Sequence, residues 1–157
     1  MIMSNKGFTL VEMMIVIAII GILSAVAMYG WVGYQNNLNL KTAAAEVMAD
    51  IASCKQKAVS GGCEYFIQFT DGSPIYTITA PTCNPPPPTQ TKNLTSFGSG
   101  LTVANTNFSS DGVPGRVSFI TRGTSSIGDI NLKNSKNSTA QITINVTGRA
   151  YVSFTMQ

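Results

Sequence analysis

The sequence has 157 residues, enough for one domain with a modest core and short for two. Its net charge is +3 and it has no histidine, which removes Ser-His and Cys-His nucleophile pairs and every histidine-bearing zinc pattern. Only 11% of residues are charged, mean hydropathy is +0.18, and the cations are scattered. Charge alone therefore points to no nucleic-acid or anionic-lipid partner, and no catalytic group, cofactor or metal set is expected.

Much of the apolar excess lies in residues 13–40, which contain no Asp, Glu, Lys or Arg. Three readings compete for residues 1–32. One is a cleaved secretory signal, with Lys6 before an apolar stretch and Ala25-Val26-Ala27 as a small-x-small site. The second is a plain membrane anchor, since residues 8–32 would form a helix of about 37 Å. The third is an anchor cut near its start. Glu12 separates them, because a carboxylate inside an apolar membrane helix costs roughly 2.5–3.5 kcal/mol and needs a partner. Cleavage after Gly7 supplies one: the new α-ammonium of Phe8 would lie at the same depth and could meet Glu12 of a neighbouring copy.

Lys6-Gly7-Phe8-Thr9-Leu10-Val11-Glu12, followed by the apolar run, resembles the class III signal of type IV prepilins and type II secretion pseudopilins. The resemblance implies that a membrane aspartyl peptidase cuts after Gly7 and methylates Phe8, and that Glu12 is the assembly carboxylate. It divides the chain into a leader, 1–7, a transmembrane and assembly helix, 8–33, and a periplasmic or extracellular globular domain, 34–157. Many relatives carry a proline near the position of Tyr29. Here Gly30 and Gly33 stand instead, and glycine costs a helix about 1 kcal/mol relative to alanine, so a weak point is expected there. Tyr29, Trp31 and Tyr34 are expected to form an interfacial aromatic belt.

The helix is expected to continue to about Ser60 and to stop at Gly61-Gly62. Leu40, Ala44, Val47, Ile51, Cys54 and Ala58 recur at spacings of four and three, giving one apolar stripe. Glu46, Asp50, Ser53 and Lys57 fall on the other side. This pattern suits a helix that is apolar all round in its first half and packs on a globular domain with one face of its second half.

Period-two alternation then predicts strands over 64–69, 75–80, 116–121, 141–146 and 150–155. Asp71-Gly72-Ser73-Pro74 and Thr147-Gly148 are the turns. Residues 83–89, with four consecutive prolines, read as a stiff loop, and 94–110 is ambiguous apart from a short strand near 101–104. The expected architecture is α+β, a long N-terminal helix packed on an antiparallel β-sheet domain. Cys54, Cys63 and Cys83 allow three pairings. Cys63–Cys83 is preferred because the two flank the first predicted hairpin, and Cys54–Cys63 and Cys54–Cys83 stay open.

Within the pilin-like family, residues 43–59 and the C-terminal run Val117 to Ile120, Gly123, Ile130 to Leu132 and Ile142 to Arg149 resemble GspH/FimT-type minor pilins. That resemblance implies a low-abundance subunit, often in a tip complex that primes assembly. Its partners would be other pilins in a helical filament, a prepilin peptidase/methylase, an inner-membrane assembly platform and, before assembly, membrane lipid. The subunit would sit in the bacterial inner membrane and then in the pilus, the periplasm or at the cell surface. The acidic calcium loop of major pseudopilins has no counterpart, since only Asp111 and Asp129 follow residue 100. Some relatives grip DNA through Gly-Arg-x-Arg. Gly148-Arg149 is followed here by Ala150-Tyr151, so DNA binding is expected to be weak, leaning on Arg149 with help from Lys133 and Lys136.

Overall fold

The computed structural model describes residues 7–157. The expected leader, 1–7, thus lies outside the described residues except for Gly7. The chain divides into two units, Met1–Gln35 and Asn36–Gln157. One helix, α1, spans Leu10–Gly61, with Gly30 and Gly33 inside it and no break assigned at either.

In the first unit, α1 has a stretch of mean hydropathy 2.6 that is long and apolar enough to cross a membrane. Leu10, Ile17, Ile22 and Val26 are all exposed. Among the described residues its side chains pack on no core of their own, which is the condition of a helix whose solvent is lipid or other helices. Trp31 and Tyr34 lie one turn apart with ring centroids separated by 6.3 Å.

In the second unit the remainder of α1 packs on two antiparallel sheets. Leu40, Ala43, Ala44, Val47, Ile51, Cys54 and Ala58 are buried, so the stripe read from periodicity is the buried one. The strands are β1 (Tyr65–Phe69), β2 (Ile75–Thr79), β3 (Gln90–Asn93), β4 (Thr102–Thr106), β5 (Ser109–Ser110), β6 (Val113–Pro114), β7 (Arg116–Phe119), β8 (Gly128–Lys133), β9 (Thr139–Ile144) and β10 (Ala150–Thr155). One sheet has the order β3-β2-β1-β7, the other β10-β9-β8-β4, and β5 and β6 form a short ribbon. Alternation places Ala140, Ile142 and Ile144 of β9 and Ile130 and Leu132 of β8 inward, against α1 and the inner side chains Ile67, Phe69, Val117 and Phe119 of the first sheet. Both sheets share one core.

Turn chemistry joins the sheets. The Gly72 N–H donates to Val103 O at 2.7 Å and the Val103 N–H to Ser73 O at 3.0 Å, so the β1–β2 turn is bonded to β4 through main-chain groups. Gly72 adopts φ of 76°, a left-handed conformation glycine reaches without steric cost.

Several elements differ from expectation. Strand β3 was not anticipated, because Gln-Thr-Lys-Asn carries no apolar alternation; it exists by pairing with β2, in register Ile75↔Asn93 to Ile78↔Gln90. Strand β9 begins and ends two residues earlier than expected, and β8, around the apolar residues 130–132, was not among the expected strands. Within 94–110 lie a 3-10 turn, Leu94–Ser96, capped by the Asn93 side chain, and then β4, which runs longer than expected and carries a register shift between Val103 and Asn105.

The polar side of α1 is also not simply solvated. Lys92 of β3 bridges Glu46 at 2.9 Å and Asp50 at 3.2 Å, and the buried Tyr76 hydroxyl donates to Asp50 at 2.7 Å. A second polar cluster ties α1 to the β8–β9 turn. The Asn37 side-chain oxygen accepts from Asn134 Nδ2 (3.1 Å) and from the hydroxyl of the fully buried Ser138 (2.7 Å).

Candidate assembly site and the distal turns

Thr9 and Glu12 build the start of α1. The Glu12 N–H donates to Thr9 Oγ1 at 3.2 Å, while Glu12 Oε2 accepts from the Thr9 N–H at 3.1 Å and from its hydroxyl at 3.2 Å. This reciprocal arrangement is a capping box: it satisfies amide groups that a helix start otherwise leaves without partners. It also fixes the carboxylate within one turn of the Gly7–Phe8 bond and leaves Oε1 without a partner among the described residues. Phe8 is 82% exposed and precedes the first helical turn. From the sequence Glu12 is expected to pair with a neighbour's amine; the box shows that one of its two oxygens is already used locally. The signal, Thr followed three residues later by Glu, was legible in the sequence.

Cys63 and Cys83 form a disulfide with Cα atoms 5.0 Å apart. It closes the segment holding the β1–β2 hairpin and fastens the end of α1 to the proline-rich loop. Cys54 is a free, buried thiol whose pKa is pushed up to about 12, chiefly by burial and next by the charge of Asp50.

The three expected DNA-contacting cations do not come together. Lys133 ends β8 and Lys136 lies in the β8–β9 turn, whereas Arg149 lies in the β9–β10 turn. The length of β9 separates them, about 17–20 Å for six extended residues. A cation the sequence argument passed over stands beside Arg149 instead: Lys55 of α1, whose ammonium donates to Thr147 O at 2.7 Å. Periodicity placed Lys55 on the helix but could not say which turn the helix would meet. The Asn145 side chain makes this turn rigid, accepting from the Thr147 N–H, the Thr147 hydroxyl and the Arg149 N–H at 3.1, 2.7 and 3.0 Å.

A long N-terminal helix headed by a carboxylate and packed on antiparallel sheets defines a pilin-like protein, and comparison with known proteins agrees. Residues 2–28 match the prokaryotic N-terminal methylation motif, that of type IV prepilins. The chain is 37% identical over 75 residues to two fimbrial proteins of Pseudomonas aeruginosa, an alignment covering 48% of this chain and 48% of each relative. It thus spans about half the length of the relatives it matches.

Among solved structures, its fold is similar to that of the minor pseudopilin EpsH from the type 2 secretion system of Vibrio cholerae. The TM-score is 0.58 at 11% identity, covering 73% of this chain and 96% of that one. It is also similar to the type IV minor pilin FimU of Pseudomonas aeruginosa, with a TM-score of 0.56 at 18% identity, covering 76% and 92%. The chain is type IV pilin-like: it carries the prepilin methylation motif and has the α+β fold of these two minor subunits.

Proposed function

We propose that this chain is a minor subunit of a type IV pilus, held in the bacterial inner membrane by the first half of α1 until it is built into the filament. The observation that carries the reading is the methylation motif over residues 2–28 at the head of a helix that continues into a pilin fold. Prepilin peptidase cuts between Gly7 and Phe8 and methylates the new N-terminus. The Phe8 ammonium then meets Glu12 Oε1 of an adjacent subunit, the oxygen that the Thr9 box leaves free. Filament contacts of this kind are heterologous, each subunit giving an amine to one neighbour and a carboxylate to another. Other pilins and an inner-membrane assembly platform are the partners.

The likeness to EpsH favours a second reading, a minor pseudopilin of type II secretion. A deletion strain distinguishes them, since loss of surface pili and loss of exoprotein secretion are separate phenotypes. The primary test is intact mass and N-terminal sequencing of the chain in sheared filaments. The expected product begins at N-methyl-Phe8; a chain beginning at Met28 would mean ordinary signal-peptidase cleavage and overturn the proposal. Glu12→Ala should leave processing intact and deplete the chain from the filament fraction.

A further inference from the structure

Four strands flank the two sheets, and three of them are protected against pairing with another chain. Strand β3 is short and polar and carries Lys92. Strand β4 is interrupted by its register shift. Strand β7 is covered by its own following loop, which bridges Phe119 to Ser125 and donates from the Ser126 N–H to Ser118 O. Such devices are how soluble proteins blunt sheet edges.

Strand β10 has none of them. Ala-Tyr-Val-Ser-Phe-Thr has no charge, no proline and no register shift, and among the described residues it pairs only with β9. The Asn145 N–H donates to Arg149 O, which makes Asn145 and Arg149 a hydrogen-bonded pair. Alternation along the antiparallel ladder then turns the main-chain N–H and C=O groups of Ala150, Val152 and Phe154 outward.

Beside this edge lies a groove of about 650 Å³ between β10 and α1. Met48, Ala52 and Val59 of the helix and Tyr151 of β10 line it, together with Lys55 and Arg149. No carboxylate among the described residues lines it, and neither cation is ion-paired among them.

We propose that this edge and groove dock an extended segment of a neighbouring filament subunit, added beside β10 as a fifth strand, with an Asp or Glu at the end that reaches Lys55 and Arg149. The inference rests on the reading of the chain as a filament subunit and names the kind of contact that subunit makes. Main-chain bonds to Ala150, Val152 and Phe154 give affinity. Alternate side chains on the apolar helix face, with the charge match at the turn, give register.

The test uses the full-length chain in cells, with Tyr151 replaced by photoreactive benzoylphenylalanine, and maps cross-linked peptides in sheared filaments by mass spectrometry. A probe at Lys136, across the sheet, serves as the control. The expected product joins position 151 to an extended segment of a different subunit with a carboxylate within a few residues. Val152→Pro removes an outward N–H without touching the β9 ladder and should cut the yield about tenfold. Arg149→Glu should lower it comparably by charge repulsion, and this variant decides if Val152→Pro does not fold. A chain that enters filaments but cross-links at 151 no better than at 136 overturns the docking site and leaves the proposed function standing. So does a product with a second copy's β10, with DNA or with lipid, and so does an Arg149→Glu yield equal to that of the parent. A chain absent from filaments altogether overturns both.

Discussion

Asp50 shows how one residue of α1 decides local stability. It accepts from the buried Tyr76 hydroxyl and sits 3.2 Å from Lys92, so a surface-side carboxylate on the helix is a fastener for β2 and β3. Asp50→Ala should destabilise the chain by about 1.5–3 kcal/mol, since it leaves a buried hydroxyl without an acceptor. Tyr76→Phe should cost less, about 1 kcal/mol, because donor and need vanish together. Thermal unfolding of the full chain in detergent measures both. Glu46→Gln, at a more exposed pair, should change stability by no more than about 1 kcal/mol.

Alkaline lability follows from the same cluster. The Cys54 thiol is raised from 9.0 to about 12, mainly by burial. Tyr76 is raised by burial and its bond to Asp50, and Lys92 is raised chiefly by its bond to Glu46. Each group holds its proton more tightly when folded, so its contribution is complete below its ordinary pKa and is lost as pH rises through the folded value. Stability should therefore be flat through neutral pH and fall above about pH 9, with a slope of up to about 1.4 kcal/mol per pH unit for each group. Urea midpoints between pH 7 and pH 11 check this, and Cys54 should resist alkylation until the chain unfolds.

At the scale of elements, what the sequence made legible was what burial repeats. The four-and-three stripe of α1 and the alternation of β9 each report a face turned to one core; the stripe lies where the pattern put it, while β9 keeps Ile142 and Ile144 inward but runs two residues earlier than expected. Strand β3 was invisible for the opposite reason: it buries almost nothing and is held by main-chain pairing and Lys92. The Thr9–Glu12 box could be read as a motif, whereas the meeting of Lys55 with the β9–β10 turn needs the third dimension. The disulfide belongs to this scale too, because it anchors a hairpin to a helix end. Replacing Cys63 and Cys83 with serine should cost about 2–4 kcal/mol, measured by denaturant unfolding against the oxidised parent. Reduction of the parent should reproduce most of that loss.

For the molecule as a whole, the charge distribution argues against a DNA receptor. Lys133 and Lys136 stand at one end of the second sheet, Lys55 and Arg149 at the other, with no continuous basic track through β9, which carries no charge. Phosphate attraction grows with the number of cations that act together. Gel-shift titration at physiological salt should give millimolar or undetectable binding, and Arg149→Ala should change it little. Submicromolar binding lost on Arg149→Ala would show that Tyr151 and Lys55 complete a site after all.

The portion of α1 inside the second unit is pinned near both ends: Asn37 is hydrogen-bonded to Asn134 and Ser138, and Lys55 to Thr147. Those anchors stand about 27 Å apart along the helix, with apolar packing and the Glu46 and Asp50 contacts to Lys92 and Tyr76 between them. Apolar surfaces can slide past one another at little cost, but a hydrogen bond weakens steeply once stretched or tilted. If the proposed filament is put under tension, load carried along α1 would place these two clamps in shear. With the Asp50–Tyr76 and Lys92 contacts between them and the Cys63–Cys83 disulfide beyond the helix end, they would resist slip of the helix through its sheets, so resistance to shear would come from directional polar ties and one covalent bond more than from the core.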